Sequence, residues 1–249
     1  SAGLGLLATY AILLWSAPIE TLLRDFSSDD SFYYLQVARH FGSSGQSTFD
    51  GTNLTNGYHP LWMLGLATLQ GLFPGAEDFL RASKVLEIGL AAGALVLWSS
   101  ALRGMHLGAP AVAVGLWMCV KWTELYQGLE TGAWFVTTAW AALATRRCLD
   151  RPSLPRGLML GVATTACALA RLEALAFAVA LITLVTAQLA GRAANPSHKA
   201  LVRAVFYAAP PLLVVAFGFA GYAVINHLVF DTALPVSGQI KAWGSQRLP

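Results

Sequence analysis

The chain has 249 residues, of which 56% are hydrophobic and 12% charged, with a mean hydropathy of +0.57. An ordinary soluble domain carries about 25% charged residues, so a water-soluble fold has too little polar surface here and the bilayer is the expected solvent. The formal net charge of +3 is small for the length, and no nucleic-acid partner is expected.

The sequence begins at Ser1 and is expected to be part of a longer chain. No cleavable signal peptide stands out, and the first apolar run, about residues 2–23, is long enough to act as signal and anchor together. Seven more apolar runs follow, at about 60–73, 85–102, 111–125, 131–145, 157–170, 174–189 and 204–228. A span takes about 20 residues at about 1.5 Å each, so run 60–73 is read as an interfacial or re-entrant helix. Cys119, Cys148 and Cys167 lie in or beside apolar runs without metal-ligand spacing and are read as small hydrophobes.

Basic residues orient the runs, because cytoplasmic loops are enriched in them. The two strongest clusters, Arg146, Arg147, Arg151 and Arg156, then Arg192, Lys199 and Arg203, are expected inside, together with Arg103. Working back, residues 127–131 and the pair Arg81 and Lys84 fall outside, and the N-terminus is cytoplasmic. The expectation is an all-α polytopic bundle of about seven spans, treated as one domain over 1–249. Its first external loop covers about 24–59, and an external tail runs over about 231–249. Ala, Gly and Leu alternate in LEIGLAAGALVLW and LMLGVATTACALA, which suits close helix packing in lipid.

The first loop concentrates the polar chemistry. After Arg24 and Asp25, a helix is predicted from Asp30 to about Phe41. At 100° per residue it sets Asp30, Tyr34, Val37, Ala38 and Phe41 on one face, with Gln36 and Arg39 away from it, as an amphipathic juxtamembrane helix. Ser28 or Asp29 would serve as its N-cap. Two adjacent acids exceed what a cap needs, and a carboxylate at the water boundary can act as a general base or bind a divalent cation. A Gly-rich turn region follows and ends at a helix starting on Pro60. His59 beside that start is either a structural loop-end residue or a donor to a phosphate.

The block D-D-x-x-Y-Y-L-Q-x-A-R at 29–39, then T-F-D-G at 48–51 and T-N-G-Y-H-P-L-W at 55–62, resembles the first external loop of bacterial membrane glycosyltransferases of the GT-C class. That group includes protein mannosyltransferase-like and aminoarabinose transferase-like enzymes. The resemblance extends to GLETGAW at 128–134, ARLEAL at 170–175 and LPVSGQIK at 234–241. It implies a GT-C-like fold in the bacterial cytoplasmic membrane with a periplasmic active face. It also implies a polyprenyl-phosphate sugar as donor, membrane lipid around it, and inverting transfer of the sugar to an external acceptor.

In such an enzyme the catalytic Asp of the first external loop matches Asp29, with Asp30 as its neighbour in the motif. Asp29 would take the acceptor's proton, a role typically contributing about 10² to 10⁴ in rate. The leaving phosphate is already a stable anion and needs cations more than an acid. Arg171, with Glu173 two residues on, is a candidate because an intramembrane arginine is costly and its fork suits phosphate. The bland alternative makes Arg171 and Glu173 the ends of a short external turn. Lys241, after the last span, is either a second phosphate cation or an interfacial anchor, and His59 is the third cation.

Glu130 would orient the acceptor, and Asn56 and Tyr58 of the TNGYHP block join the substrate-binding set. Glu87 is read as a structural partner of Arg81 or Lys84. No cofactor is certain. If the reaction depends on a metal, Asp29, Asp30 and Glu130 are hard oxygen ligands suited to Mg²⁺ or Mn²⁺. The absence of HExxH, P-loop, GxGxxG and GxSxG patterns argues against zinc hydrolysis, nucleotide hydrolysis, dinucleotide binding and acyl transfer.

Members of the class commonly continue for more spans and an external domain. Acceptor choice is therefore expected to lie in further sequence or in protein partners of a membrane assembly. The competing reading is a non-catalytic GT-C-like structural subunit. A transporter would instead gather its polar groups near the bilayer midplane.

Overall fold

The computed structural model of this chain describes residues 2–103, 127–191, 198–233 and 235. Among these, nine helices form and no strand does, apart from one isolated antiparallel bridge between Thr48 and Leu54. The helices are α1 (Ala2–Ser16), α2 (Ile19–Asp25), α3 (Asp29–Ser44), α4 (Pro60–Leu72), α5 (Ala76–Ala101), α6 (Thr131–Asp150), α7 (Leu154–Ala170), α8 (Ala174–Gly191) and α9 (His198–Phe230). Run 111–125, with Cys119, lies outside the described residues.

Among the described residues, two helices are long and apolar enough to cross a membrane, Ala174–Gly191 and Val205–Phe230. This is the composition of a helical membrane protein. The first apolar run departs from its expected single span. It breaks at Ala17 and Pro18, and Leu4–Ser16 and Ile19–Asp25 meet at 115°, because proline lacks the N–H and the ring space that a continuing helix needs. The two pieces count as a third crossing only if they form one broken span. Apolar α7 is 17 residues long. Helices α5 and α6, with 26 and 20 residues, are long enough, but neither is among the helices that qualify as spans by length and composition. Helix α4, at 13 residues, reaches only about 20 Å, the short length that made run 60–73 interfacial or re-entrant.

The chain divides into two compact units, one of Ser1–Ala92, His106–Ala133 and Tyr222–Pro249, the other of Gly93–Met105 and Trp134–Gly221. In the first, α3 lies against α4. The approach is close at Gly42, where a Cβ would stand 2.8 Å from the Ala67 carbonyl oxygen and 3.0 Å from Gln70 Cγ. Trp62, Met63 and Leu66 of α4 and Val37 and Ala38 of α3 are buried between them. Arg81, expected on the outside, lies within a helix. It belongs to α5, where it pairs with Glu77 at 2.7 Å and donates to the Trp15 and Ala17 carbonyls at the α1 break.

In the second unit, small residues set the packing. Ala141, Ala144, Cys148, Leu160, Ala163, Ile182, Val185 and Val215 form one buried cluster. A Cβ on Gly161 would stand 2.8 Å from Pro211 Cα, and one on Gly218 would stand 2.5 Å from Thr165 Cγ2, so α7 and α9 touch through glycine, as lipid-embedded helices commonly do. Arg146 donates to the Ala101 carbonyl at 2.7 Å, satisfying a carbonyl left over at the end of α5. Cys148 and Cys167 are buried free thiols.

Candidate functional site at the start of helix α3

The start of α3 is fixed from both sides. Ser28 is the N-cap, and its hydroxyl accepts from the Ser31 N–H. The Ser28 N–H and hydroxyl both donate to the Gln127 carbonyl at 3.2 Å. Asp29 and Asp30 therefore occupy the first helical turn, exposed, where carboxylates sit well against the helix dipole. The helix runs to Ser44, past the expected end at Phe41, and stops at Gly45 with φ 73°. Its buried face also differs from expectation. Ser31 joins Tyr34, Val37 and Ala38 there, Phe41 is half-buried, and Asp30 faces solvent, because the stripe is centred one residue later in the chain than Asp30 requires.

Three separated parts of the sequence meet beneath this turn. Tyr34 accepts a hydrogen bond from the His59 backbone N–H at 3.1 Å and donates to Glu130 Oε2 at 3.4 Å. The other carboxylate oxygen, Oε1, lies 3.5 Å from His59 Nε2. Tyr34 and Glu130 are buried and the His59 side chain is 19% exposed. Burial, with the Glu130 charge beside it, pushes the Tyr34 phenol above its ordinary range, so Tyr34 remains a donor. The imidazole forms an ion pair with Glu130 only when protonated.

Gly128 makes this meeting possible. Its φ is 83°, and a Cβ there would stand 2.5 Å from Ser31 Cβ and 3.0 Å from Lys84 Nζ. Trp62, 1% exposed, donates its indole N–H to the Gly128 carbonyl at 3.4 Å. Lys84 and Glu87 are both buried, and the Lys84 charge acts on the Glu87 carboxyl. Of the two cations weighed as partners for Glu87, Lys84 is the neighbour, while Arg81 turns to Glu77.

The loop between α3 and α4 is closed by its own hydrogen bonds. Ser47 donates to the Thr55 carbonyl at 2.6 Å and shares a 2.6 Å bond with the Tyr58 hydroxyl. Burial pushes the Tyr58 phenol up, against the pull of that Ser47 bond. Asp50 accepts from the Asn53 and Thr52 N–H groups and the Asn53 amide, which hold its carboxyl well below the usual carboxylate range. Asn56, 1% exposed, donates its amide to Asn226 Oδ1 at 3.2 Å.

The structure thus gathers Asn56, Tyr58, His59 and Glu130 in one unit with Asp29 and Asp30, although the two aspartates stay at the surface. Glu130 turns to Tyr34 and His59, and the described residues hold no group of three or more His, Cys, Asp or Glu side chains placed to bind a metal. Arg171 and Glu173 belong to the second unit. They occupy the short turn between α7 and α8, 3.8 Å apart, with the Arg171 guanidinium 5.1 Å from the centre of the Trp134 ring. That turn is the geometry the bland reading required, and the guanidinium stacks on an indole within it. Lys241 lies outside the described residues.

Tyr34, Ser31 and Asn226 were not singled out as site residues from sequence, and Lys84 was named only for the topology and as a partner for Glu87. Tyr34 had a signal, since it shares a face with Val37 and Ala38, whereas Asn226 had none beyond being polar inside an apolar run. No protein-family model, curated protein or solved structure matches the chain.

Proposed function

We propose that the protein is an inverting glycosyltransferase of the GT-C class, moving a hexose or pentose from a polyprenyl-phosphate donor to an acceptor on the external, periplasmic face of a bacterial cytoplasmic membrane. The observation that carries this reading is the convergence of Tyr34, His59 and Glu130. Each comes from a different segment of the motif, and together they seat the turn that bears Asp29 and Asp30. Buried polar groups are costly unless they find partners, and these three partner one another.

In the proposed reaction the acceptor hydroxyl attacks the anomeric carbon as Asp29 removes its proton. The bond from that carbon to the phosphate oxygen breaks with inversion, and the polyprenyl phosphate leaves with the electron pair. Asp30 holds the acceptor beside Asp29. His59, when protonated, offsets the phosphate charge, and Asn56, Tyr58 and Glu130 hold the loop around it through their own hydrogen bonds and contacts. Mg²⁺ or Mn²⁺ would fit beside Asp29 and Asp30 only if further ligands come from outside the described residues.

One observation favours the alternative, a non-catalytic structural subunit with protein partners in a membrane assembly. Two exposed acids in a first helical turn are already stabilising where they stand, without catalysis. Radiolabelled transfer from a panel of polyprenyl-phosphate sugars to membrane acceptors separates the readings. With Asp29→Asn at equal expression, transfer should fall by about 10² to 10⁴. Equal transfer removes Asp29 from the mechanism, and no transfer by the wild type moves the assignment to the structural subunit.

A further inference from the structure

Phe49 stays 48% exposed although it stacks on Tyr33, ring centroids 5.6 Å apart and planes 19° from parallel. An exposed phenyl on a loose loop needs no explanation, but this one is held rigidly. The Tyr33 hydroxyl is fixed by a 2.6 Å bond with Thr55 Oγ1. The Thr48 carbonyl meets His40 Nδ1 at 2.8 Å, and Thr48 bridges to Leu54 across the turn. Asp50 ties the tip between them.

Tyr33 stands four residues after Asp29 on α3, so their side chains are helical neighbours at about 5–6 Å between Cβ atoms. Tyr33 also meets Tyr34 edge-on at 6.3 Å, which joins the stack to the Glu130 and His59 cluster. Asp29 and Asp30, on the same helix as Tyr33, and Asp50, Thr52 and Asn53, in the same turn region as Phe49, are exposed. Exposed carboxylates on both segments disfavour insertion into lipid. An exposed aromatic face on a turn that also carries carboxylate, amide and hydroxyl groups fits instead a ring that is apolar on one side and hydroxylated at its edge.

We propose that Phe49, backed by Tyr33, is a stacking platform for a pyranose ring beside Asp29. The proposal rests on the glycosyltransferase reading and adds to it the surface that holds the sugar. The sugar is that of the donor or that of a glycan acceptor.

The test is saturation-transfer NMR on the full chain in detergent micelles, with methyl pyranosides of mannose, glucose, galactose and arabinose as probes. The wild type should transfer saturation to the ring protons of at least one glycoside. Phe49→Trp should keep that signal, and Phe49→Ala should lose it by about fivefold or more. Phe32→Ala, which removes an exposed phenyl from α3, should leave the signal and the melt unchanged, and Phe49→Ala should lower the melt by no more than a few degrees, the loss of one aromatic pair. Competition by a polyprenyl-phosphate monosaccharide assigns the platform to the donor, and lack of competition assigns it to the acceptor.

A full signal from Phe49→Ala, or none from the wild type, overturns the platform. Transfer by the wild type with an unchanged donor and acceptor KM in Phe49→Ala overturns the platform alone. No transfer by the wild type, with a glycoside signal that depends on Phe49, overturns the transferase reading and leaves the platform.

Discussion

Gly128→Ala is the substitution whose cost the geometry defines best. A non-glycine residue held at positive φ costs about 1–2 kcal/mol, and Gly128 has φ 83°. The new Cβ also meets Ser31 Cβ at 2.5 Å and Lys84 Nζ at 3.0 Å. The lysine end can swing away, but Ser31 Cβ is fixed to the α3 backbone, whose N-cap is bonded to Gln127. Relieving that clash means moving α3 or residues 127–130, an overpacking cost of about 1–3 kcal/mol. The total is about 2–5 kcal/mol, which at roughly 2–4 °C per kcal/mol lowers Tm by about 4–20 °C. Helix content followed by circular dichroism in detergent measures it. A melt within about 2 °C of wild type would refute both the left-handed turn at Gly128 and its contact with Ser31.

Two further substitutions test other parts of the structure. Tyr34→Phe keeps the ring but removes the hydroxyl shared by the His59 N–H and Glu130, and should cost about 1–3 kcal/mol of stability; an unchanged denaturation midpoint would remove Tyr34 from the cluster. Gly161→Val places a branched side chain 2.8 Å from the Pro211 backbone and should cost about 1–3 kcal/mol, read as a melt several degrees lower, whereas wild-type stability would mean that α7 and α9 do not touch there.

The helical class and the polar character of the first loop were legible because composition and periodicity are additive along the chain. Helix α3 and the start at Pro60 follow from local signals of this kind, whereas the end expected at about Phe41 fell short of the stop at Gly45. The α1 break was legible in principle from Pro18, yet total apolarity over 2–23 outweighed one residue. Counting runs gave about seven spans, whereas among the described residues length and composition qualify two helices, or three with the bent first pair. At the site, Glu130 and His59 stood out as polar residues in turns. Their contact did not, since it depends on a left-handed glycine and on Tyr34 reaching across 96 residues of sequence. Lys84, buried at 1% exposure, ran against the rule that lysine stays outside.

The bond between Asn56 and Asn226 spans 170 residues, and it places the first loop at the mercy of protein synthesis. At about 5–20 residues per second, Asn226 emerges on the order of ten to thirty seconds after Asn56. Throughout that interval the loop carrying Phe49 and the seat of His59 wait without their last tether. The growing polypeptide thus offers nascent-chain chaperones and proteases a loop that it can withdraw only once Asn226 has been made.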